Sequence, residues 1–202
     1  TLLKHKLAGD GLNWLIMTKI SKKTGYSTNK INNRSKEIKK VSKKYGFKQT
    51  INLNYDTTKL DNIPISNIVQ KLGLAFNKVN PSVLYAPFGD DVHTDHRVTL
   101  EAIISATKTF RTKYIKKIRL YETLSETDFN LNPRANNFKP NLWVDISDFI
   151  KKKIEIMKIY KSELGKHPFP RSEESIKSLA IIRGISANCN YSEGFISIKE
   201  IL

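Results

Sequence analysis

Cysteine is almost absent from this 202-residue sequence, in which Cys189 is the only one. A single cysteine excludes an internal disulfide and any metal site built from several cysteine ligands. No uninterrupted apolar run approaches the roughly 18 residues that a membrane-spanning helix needs, and no signal-peptide pattern is visible. These absences predict a cytoplasmic protein without a membrane span.

Acidic residues are scarce in the first fifty positions, where only Asp10 and Glu37 oppose thirteen lysines and arginines. This stretch therefore carries +11 of the net charge of +16. Such a charge is one signature of nucleic-acid binding, and the lysines between Lys36 and Lys44 share one side of a predicted helix. Lysine prevails over arginine there and no aromatic residues are interleaved, which favours a solvated helix face. A basic nucleic-acid-binding module is the less favoured alternative.

The remaining pattern predicts one folded α/β domain. A hydrophobic content of 39% and an aromatic content of 9% are typical of a globular protein that can bury a core. Short β-prone runs alternate with amphipathic helical patterns, which predicts a mostly parallel sheet covered on both faces. Strands are predicted at 12–18, 50–54, 83–86, 118–123, 143–146 and 194–198. Helices are predicted over 29–45, from 61 or 62 to 80, from about 98, from 147 or 148 to 161, and from 172.

Residues 81–97 carry the most specific chemistry. The apolar strand Val83–Ala86 is ended by Pro87 and Gly89, and a helical pattern begins at Val98. Polar residues crowd the junction between them: Asp90, Asp91, His93, Asp95 and His96. In open α/β sheets, ligands bind at such carboxyl ends of strands.

The two histidines suit a metal or proton-transfer site. Imidazole is a good zinc ligand, and a neighbouring carboxylate can fix its tautomer. His93 and His96 are three residues apart, so they could share one side of a first helical turn. One could then bind a metal while the other polarises a carbonyl or moves a proton. In the alternative interpretation, Asp91 or Thr94 caps the helix and both histidines are surface residues.

The order of several motifs resembles the LmbE-like, or PIG-L, family of zinc-dependent N-deacetylases. The matching motifs are Arg34-x-x-Glu37, Asp91-Val-His-Thr-Asp-His96, Tyr121-Glu122, Val144-Asp-Ile-Ser147 and Tyr191-Ser-Glu-Gly-Phe195. The resemblance covers nearly the whole chain and implies a Rossmann-like, three-layer α/β/α sandwich. It also implies removal of an acetyl group from an N-acetylated amino sugar or sugar conjugate.

The resemblance implies roles for individual residues. His96 would bind zinc, His93 would face the substrate carbonyl and support the tetrahedral intermediate, and Asp95 would orient the histidines. Arg34 would contact substrate. Glu37 and Glu193 match recurrent acids of the family. For Arg34 as well as for these two acids, a helix-surface or structural ion-pair role is at least as plausible as direct contact with substrate.

One family motif is missing from the 202 residues. The His-Pro-Asp-Asp-Glu motif, which supplies a second zinc histidine, a zinc aspartate and the catalytic base, does not occur. The first, central strand of the family sheet is absent with it. We therefore expect residues 1–202 to be a single, N-terminally truncated deacetylase domain that neither holds zinc tightly nor deacetylates by itself. The alternative is a catalytically dead binding or regulatory homologue.

Substrate specificity is expected to come from two segments without periodicity. The loop from Ser125 to Pro140 and the segment Phe169–Arg171 would shape the mouth of the site, since long loops near strand ends carry specificity. Their Asn, Arg and aromatic residues suit a sugar. The pattern does not identify which sugar, and it does not predict an oligomeric state.

Overall fold

A computed structural model describes residues 1–202, in which helices and strands alternate along the chain. The strands are β1 (Asn13–Lys19), β2 (Gln49–Asp56), β3 (Val83–Pro87), β4 (Lys117–Tyr121), β5 (Leu142–Asp145) and β6 (Ser192–Glu200). The helices are α1 (Leu2–Leu7), α2 (Thr28–Tyr45), α3 (Ile65–Val79), α4 (Thr94–Ala106), α5 (Ile150–Met157) and α6 (Glu173–Ala187). The predicted α/β class is confirmed. No helix combines the length and the apolar character needed to cross a bilayer.

The strands form two sheets, whereas the sequence predicts one. β1 and β2 make a two-stranded sheet, and the other has the order β3-β4-β6-β5. β3 and β4 are parallel, with Val83 opposite Lys117, while β4 and β6 are antiparallel, with Lys117 opposite Glu200. β3 is therefore an edge strand of its sheet, although Ala86 within it is fully buried.

Residue contacts divide the chain into two compact units. The first unit comprises residues 1–16, 20–51 and 143–194, and the second comprises 17–19, 52–142 and 195–202. Both units are built from segments that are distant in sequence. Four strands contribute residues to both units: β1, β2, β5 and β6.

The first unit contains the lysine-rich helix α2. Ser27 caps its amino end by accepting a hydrogen bond from the Lys30 N–H at 3.3 Å, and Gly46 ends it in the left-handed conformation that glycine favours. Val41 faces inward and is 3% exposed, whereas Lys36, Lys39, Lys40, Lys43 and Lys44 are all exposed. A small core of Ile146, Ile150 and Ala180 lies elsewhere in this unit.

The second unit contains α3 and α4, which pack on each other and bury apolar residues spaced at helical intervals. Ile68, Leu72 and Phe76 of α3 are 3% exposed or less, as are the facing residues Ala102 of α4 and Ile118 of β4. This core supports β3 and β4, whose carboxyl ends carry the candidate site.

Two predicted helix boundaries are wrong. α3 begins at Ile65, with Pro64 as the preceding cap residue, because a short 3-10 turn at 60–62 occupies the stretch before it. α5 covers 150–157 and not 147–161, since Asp145 accepts hydrogen bonds from the Ser147 backbone and hydroxyl and holds that segment in a turn.

Two leucines two positions apart on α3 provide a test of this core. Leu72 is fully buried, so Leu72→Ala should lower the free energy of unfolding by about 2–5 kcal/mol through lost burial and a residual cavity. Leu74 is 66% exposed, so Leu74→Ala should change it by less than about 0.5 kcal/mol. Urea unfolding of both variants measures the difference, and equal losses would contradict the described packing.

Candidate active site

The turn between β3 and α4 carries the predicted histidines. Phe88 N–H donates to the Tyr121 carbonyl at 3.0 Å, which ties the end of β3 to the end of β4. α4 then starts at Thr94, and its cap is His93, whose Nδ1 accepts a hydrogen bond from the Asp95 N–H at 3.1 Å. The alternative with Asp91 or Thr94 as the cap is therefore wrong.

Asp91 does not cap the helix because its carboxylate is bound to His96. The Asp91 side chain is fully buried, and its Oδ2 lies 2.6 Å from His96 Nδ1. The other oxygen, Oδ1, accepts a hydrogen bond from the Thr127 hydroxyl at 2.6 Å, and Thr127 itself accepts from the Thr123 N–H at 2.7 Å. A buried carboxylate needs such partners to remain charged.

This contact fixes how His96 presents its ring. A carboxylate is an acceptor, so Nδ1 of His96 carries the proton that points to Asp91. In the neutral ring, Nε2 is then unprotonated, which is the state that a metal ligand requires. The His96 side chain is 25% exposed, so this nitrogen belongs to a ring that solvent reaches.

His93 has the opposite tautomer. Its Nδ1 accepts from a backbone N–H and so carries no proton while that contact holds, which leaves Nε2–H as a donor. The two rings stack with centroids 5.0 Å apart and an interplanar angle of 13°. The structure thus brings together one imidazole suited to bind a metal and one suited to donate a hydrogen bond.

Asp95 is buried beneath this pair. Its Oδ2 accepts from the Thr58 N–H at 2.7 Å, and its Oδ1 accepts from the Leu60 N–H at 3.2 Å. The contact of Asp95 with His93 is made by its backbone N–H. The carboxylate therefore ties the amino end of α4 to the segment that follows β2.

The loop from 125 to 140 lies against the same turn. The Val92 N–H donates to the Glu126 carbonyl at 3.3 Å, and Asn130 Nδ2 donates to the Asp90 carbonyl at 2.6 Å. Farther along the loop, Asn136 Nδ2 donates to Asp90 Oδ2 at 3.0 Å. These contacts place the loop beside the histidines, which is where a segment that shapes the mouth of the site must lie.

Tyr121, at the end of β4, belongs to the same surroundings. Tyr121 is 38% exposed as a whole, but desolvation of its hydroxyl raises its pKa to about 12, and the negative charge of Asp91 adds to the shift. Tyr121 therefore remains protonated over the physiological pH range. It can donate a hydrogen bond but cannot act as a base there.

Arg34 lies in the first unit, in a network of charged and polar groups. Its guanidinium donates to Glu37 Oε2 at 3.3 Å and to the Ser162 hydroxyl at 3.0 Å, and it is ion-paired with Glu163. Arg171 binds the same Glu163 carboxylate at 3.0 Å. The Arg34 side chain is 22% exposed, so most of its donors are already used within the protein.

Glu37 and Glu193 both form contacts within the protein, which is one of the two roles that the sequence leaves open for them. Glu37 is 9% exposed and accepts from the Ser162 hydroxyl at 2.9 Å. Glu193 forms an ion pair with Lys153, whose Nζ lies 2.6 Å from the Glu193 carboxylate.

The described side chains do not complete a metal centre. His96 offers an oriented imidazole nitrogen, but nowhere in residues 1–202 do three His, Cys, Asp or Glu side chains converge on one point. A catalytic zinc ion usually has three protein ligands. The donor set therefore fits a metal in part.

Sequence reasoning missed two contributors to this site. Asp91 was recognised as a nearby carboxylate but not as the partner of His96, and Thr127 was not singled out. The signal for Asp91 was local, since it lies five residues before His96 at the entry to the helix. Thr127 gave no such signal, because only the folding of the loop brings it to Asp91.

An α/β fold with an oriented histidine pair at the strand ends is typical of a protein that binds its ligand at that edge of the sheet. Residues 1–107 match the family model described as PIG-L, GlcNAc-PI de-N-acetylase, and this stretch is more than half of the chain. The protein belongs to the PIG-L family, and the resemblance of its motifs is confirmed.

Solved structures support the same fold. The N,N′-diacetylchitobiose deacetylase of Pyrococcus horikoshii is 20% identical, with a TM-score of 0.75 over 98% of this chain and 76% of that one. The 4-carboxy-2-hydroxymuconate hydratase GalB of Pseudomonas putida KT2440 is 16% identical, with a TM-score of 0.71 over 100% and 89%. The zinc-inhibited form of the teicoplanin deacetylase Orf2 is 12% identical, with a TM-score of 0.67 over 97% and 90%.

The anchoring role of Asp95 can be measured as stability. Asp95→Ala would leave the Thr58 and Leu60 N–H groups without their acceptor, which should cost about 2–4 kcal/mol of unfolding free energy. Asp95→Asn keeps one of the two oxygens and should cost less. Glu101→Ala, at an exposed acid of the same helix, is the control and should be nearly neutral. If denaturant unfolding gave Glu101→Ala and Asp95→Ala the same loss of unfolding free energy, the result would contradict this role.

Proposed function

We propose that this protein acts in metal-dependent N-deacetylation, the hydrolysis of the acetamide group of an N-acetylated amino sugar or sugar conjugate. The observation that carries the proposal is the pair formed by His93 and His96, with Nδ1 of His96 held by the buried Asp91. Membership of a family described as a GlcNAc-PI de-N-acetylase supports the reaction type.

His96 is the proposed metal ligand, and Asp91 is its positioning residue. The Asp91 carboxylate fixes the tautomer and the plane of the ring, as carboxylates commonly do for zinc-binding histidines. When bound, a zinc ion would acidify a water molecule toward a pKa of about 7 and polarise the acetamide carbonyl.

His93 is the proposed donor to the substrate carbonyl. Amide hydrolysis develops negative charge on the carbonyl oxygen, and a donor already aimed at that position stabilises the transition state. The Asp95 N–H that binds Nδ1 leaves the Nε2–H of His93 available for this contact. In this arrangement the ring donates as a neutral imidazole, and a cationic ring would first have to break the bond to Asp95.

The substrate is proposed to contact the loop from 125 to 140. The loop presents amide side chains such as Asn130 and Asn136 beside the histidine turn, and amides can both donate to and accept from sugar hydroxyls. For Arg34, whose guanidinium is ion-paired with Glu37 and Glu163 in the first unit, contact with substrate stays a prediction from the sequence.

The remaining metal ligands and the base that takes the water proton are proposed to lie outside these 202 residues. The donor set supports this proposal, because residues 1–202 contain no group of three His, Cys, Asp or Glu side chains that could hold a metal ion. We infer that the family's His-Pro-Asp-Asp-Glu motif would supply them from a preceding segment.

Metal content tests this assignment directly. The purified 202-residue chain, exposed to zinc and then passed over a desalting column, should retain far less than one equivalent, because one imidazole is a weak site. His96→Ala should remove the residual binding that can be titrated before desalting. His5→Ala is the control, since His5 forms a similar 2.6 Å contact with Asp10. One tightly held zinc ion in the wild-type chain would contradict the assignment.

The reaction itself is tested with the protein that the native open reading frame containing these residues encodes. Acetate release from N,N′-diacetylchitobiose and from GlcNAc-phosphatidylinositol should be detectable. Asp91→Asn should weaken zinc binding about 10- to 100-fold, and His93→Ala should lower kcat about 100-fold or more at unchanged zinc content.

Three outcomes of this assay would contradict the proposal. Sugar binding without acetate release would indicate a catalytically dead homologue. Activity unchanged by His93→Ala would remove that residue from the reaction. Substrate loss without acetate, as in a hydration, would place the protein with neighbours of this fold such as GalB.

A further inference from the structure

A rigid turn after α4 holds Phe110 in solvent. The Arg111 N–H donates to the Lys108 carbonyl at 2.8 Å and the Thr112 N–H donates to the same carbonyl at 3.2 Å, which closes the turn. Behind it, Thr112 is 2% exposed and Ile115 is fully buried. Phe110 at the tip is nevertheless 72% exposed, so the anchored backbone presents an aromatic ring that the protein core does not use.

Two exposed aliphatic side chains belong to the same surface. Leu74 of α3 is 66% exposed and Ile104 of α4 is 52% exposed. The turn is bound to both helices, because the Tyr114 hydroxyl donates to Asn77 Oδ1 at 2.7 Å and Arg111 Nη1 lies 3.5 Å from the Ser105 carbonyl. Asn77 is one helical turn from Leu74, and Ser105 adjoins Ile104.

Positive charge surrounds these apolar groups. Lys78, Lys108, Arg111 and Lys113 are all exposed, and Arg111 lies over the Phe110 ring at 5.7 Å. Glu101, one helical turn before Ile104, is the nearest acid along α4. We call the surface formed by Leu74, Ile104, Phe110, Lys108, Arg111 and Lys113 the Phe110 patch.

We propose that the Phe110 patch docks on the surface of an anionic phospholipid bilayer. Apolar side chains on a rigid, exposed turn can enter the interface between headgroups and acyl chains, while lysine and arginine bind the lipid phosphates. Leucine and isoleucine gain nothing from stacking on nucleic-acid bases, so the two aliphatic members favour lipid over single-stranded nucleic acid. Exposed apolar groups with charged residues around them commonly mark an interaction site.

The position of the patch makes this proposal independent of the proposed deacetylation. α4 has thirteen residues, so at 1.5 Å per residue its two ends are about 18–20 Å apart. The histidines lie at its amino end and the patch at its carboxyl end. A bilayer bound to the patch would retain the protein at the membrane without covering the histidine turn.

Vesicle sedimentation tests the docking. The full chain should bind vesicles of phosphatidylcholine with about one third phosphatidylserine, bind pure phosphatidylcholine at least tenfold more weakly, and lose binding at high salt. Phe110→Ser should weaken binding about tenfold, because the aromatic ring no longer enters the interface. Lys108→Glu with Lys113→Glu should weaken it more than tenfold.

The matched control reverses two charges on another surface. Lys39→Glu with Lys43→Glu on α2 produces the same net charge as the Lys108 and Lys113 double variant, and both residues are exposed. This control should bind clearly more tightly than the double variant in the patch. Unchanged thermal midpoints would show that all variants are folded.

Three results would overturn the proposal. The first is the absence of binding to the anionic vesicles. The second is equal loss in the two double variants, which would mean that net charge alone attracts the protein. The third is a Phe110→Ser variant that still binds the vesicles but no longer binds a single-stranded oligonucleotide. This result would assign the patch to nucleic acid.

Discussion

The hydrogen bond between Asp91 and His96 is the interaction on which the candidate site depends. A carboxylate buried as fully as Asp91 is stable only when both of its oxygens are bound, and His96 and Thr127 bind one each. Removing either partner would leave a buried charge with an unused oxygen. The same contact decides which nitrogen of His96 is available, so the stability of the turn and its chemical use have a common origin.

The surrounding backbone holds this contact in place from several sides. Asp95 joins the first turn of α4 to the segment after β2, and Phe88 joins the end of β3 to the end of β4. His93 completes the turn because it caps the helix with the nitrogen that is not needed for donation. Helix capping and tautomer choice are thus served by one hydrogen bond.

Much of the fold followed from the sequence because its signals are local. A short apolar run identifies β3, and apolar residues at helical spacing identify α4. The division into two sheets was not predictable from periodicity, which gives strand identity but no pairing partner. The position of the histidines was also local. The roles of Asp91 and Thr127 required the path of a loop whose sequence has no periodic pattern, and the ion pair of Arg34 with Glu163 required a contact more than a hundred residues away.

The bond between Thr127 and Asp91 has a consequence for how the site can change. Residues 125–140 are the segment that we propose distinguishes one sugar from another, and Thr127 within it also binds the Asp91 carboxylate that contacts His96. Shifts of this loop that suit a new substrate would therefore disturb the imidazole as well. Variation among relatives should concentrate in the part of the loop beyond the Asn130 contact with Asp90, where the backbone can be remodelled without moving the threonine. Substrate recognition and the geometry around His96 would then evolve at different rates within one loop.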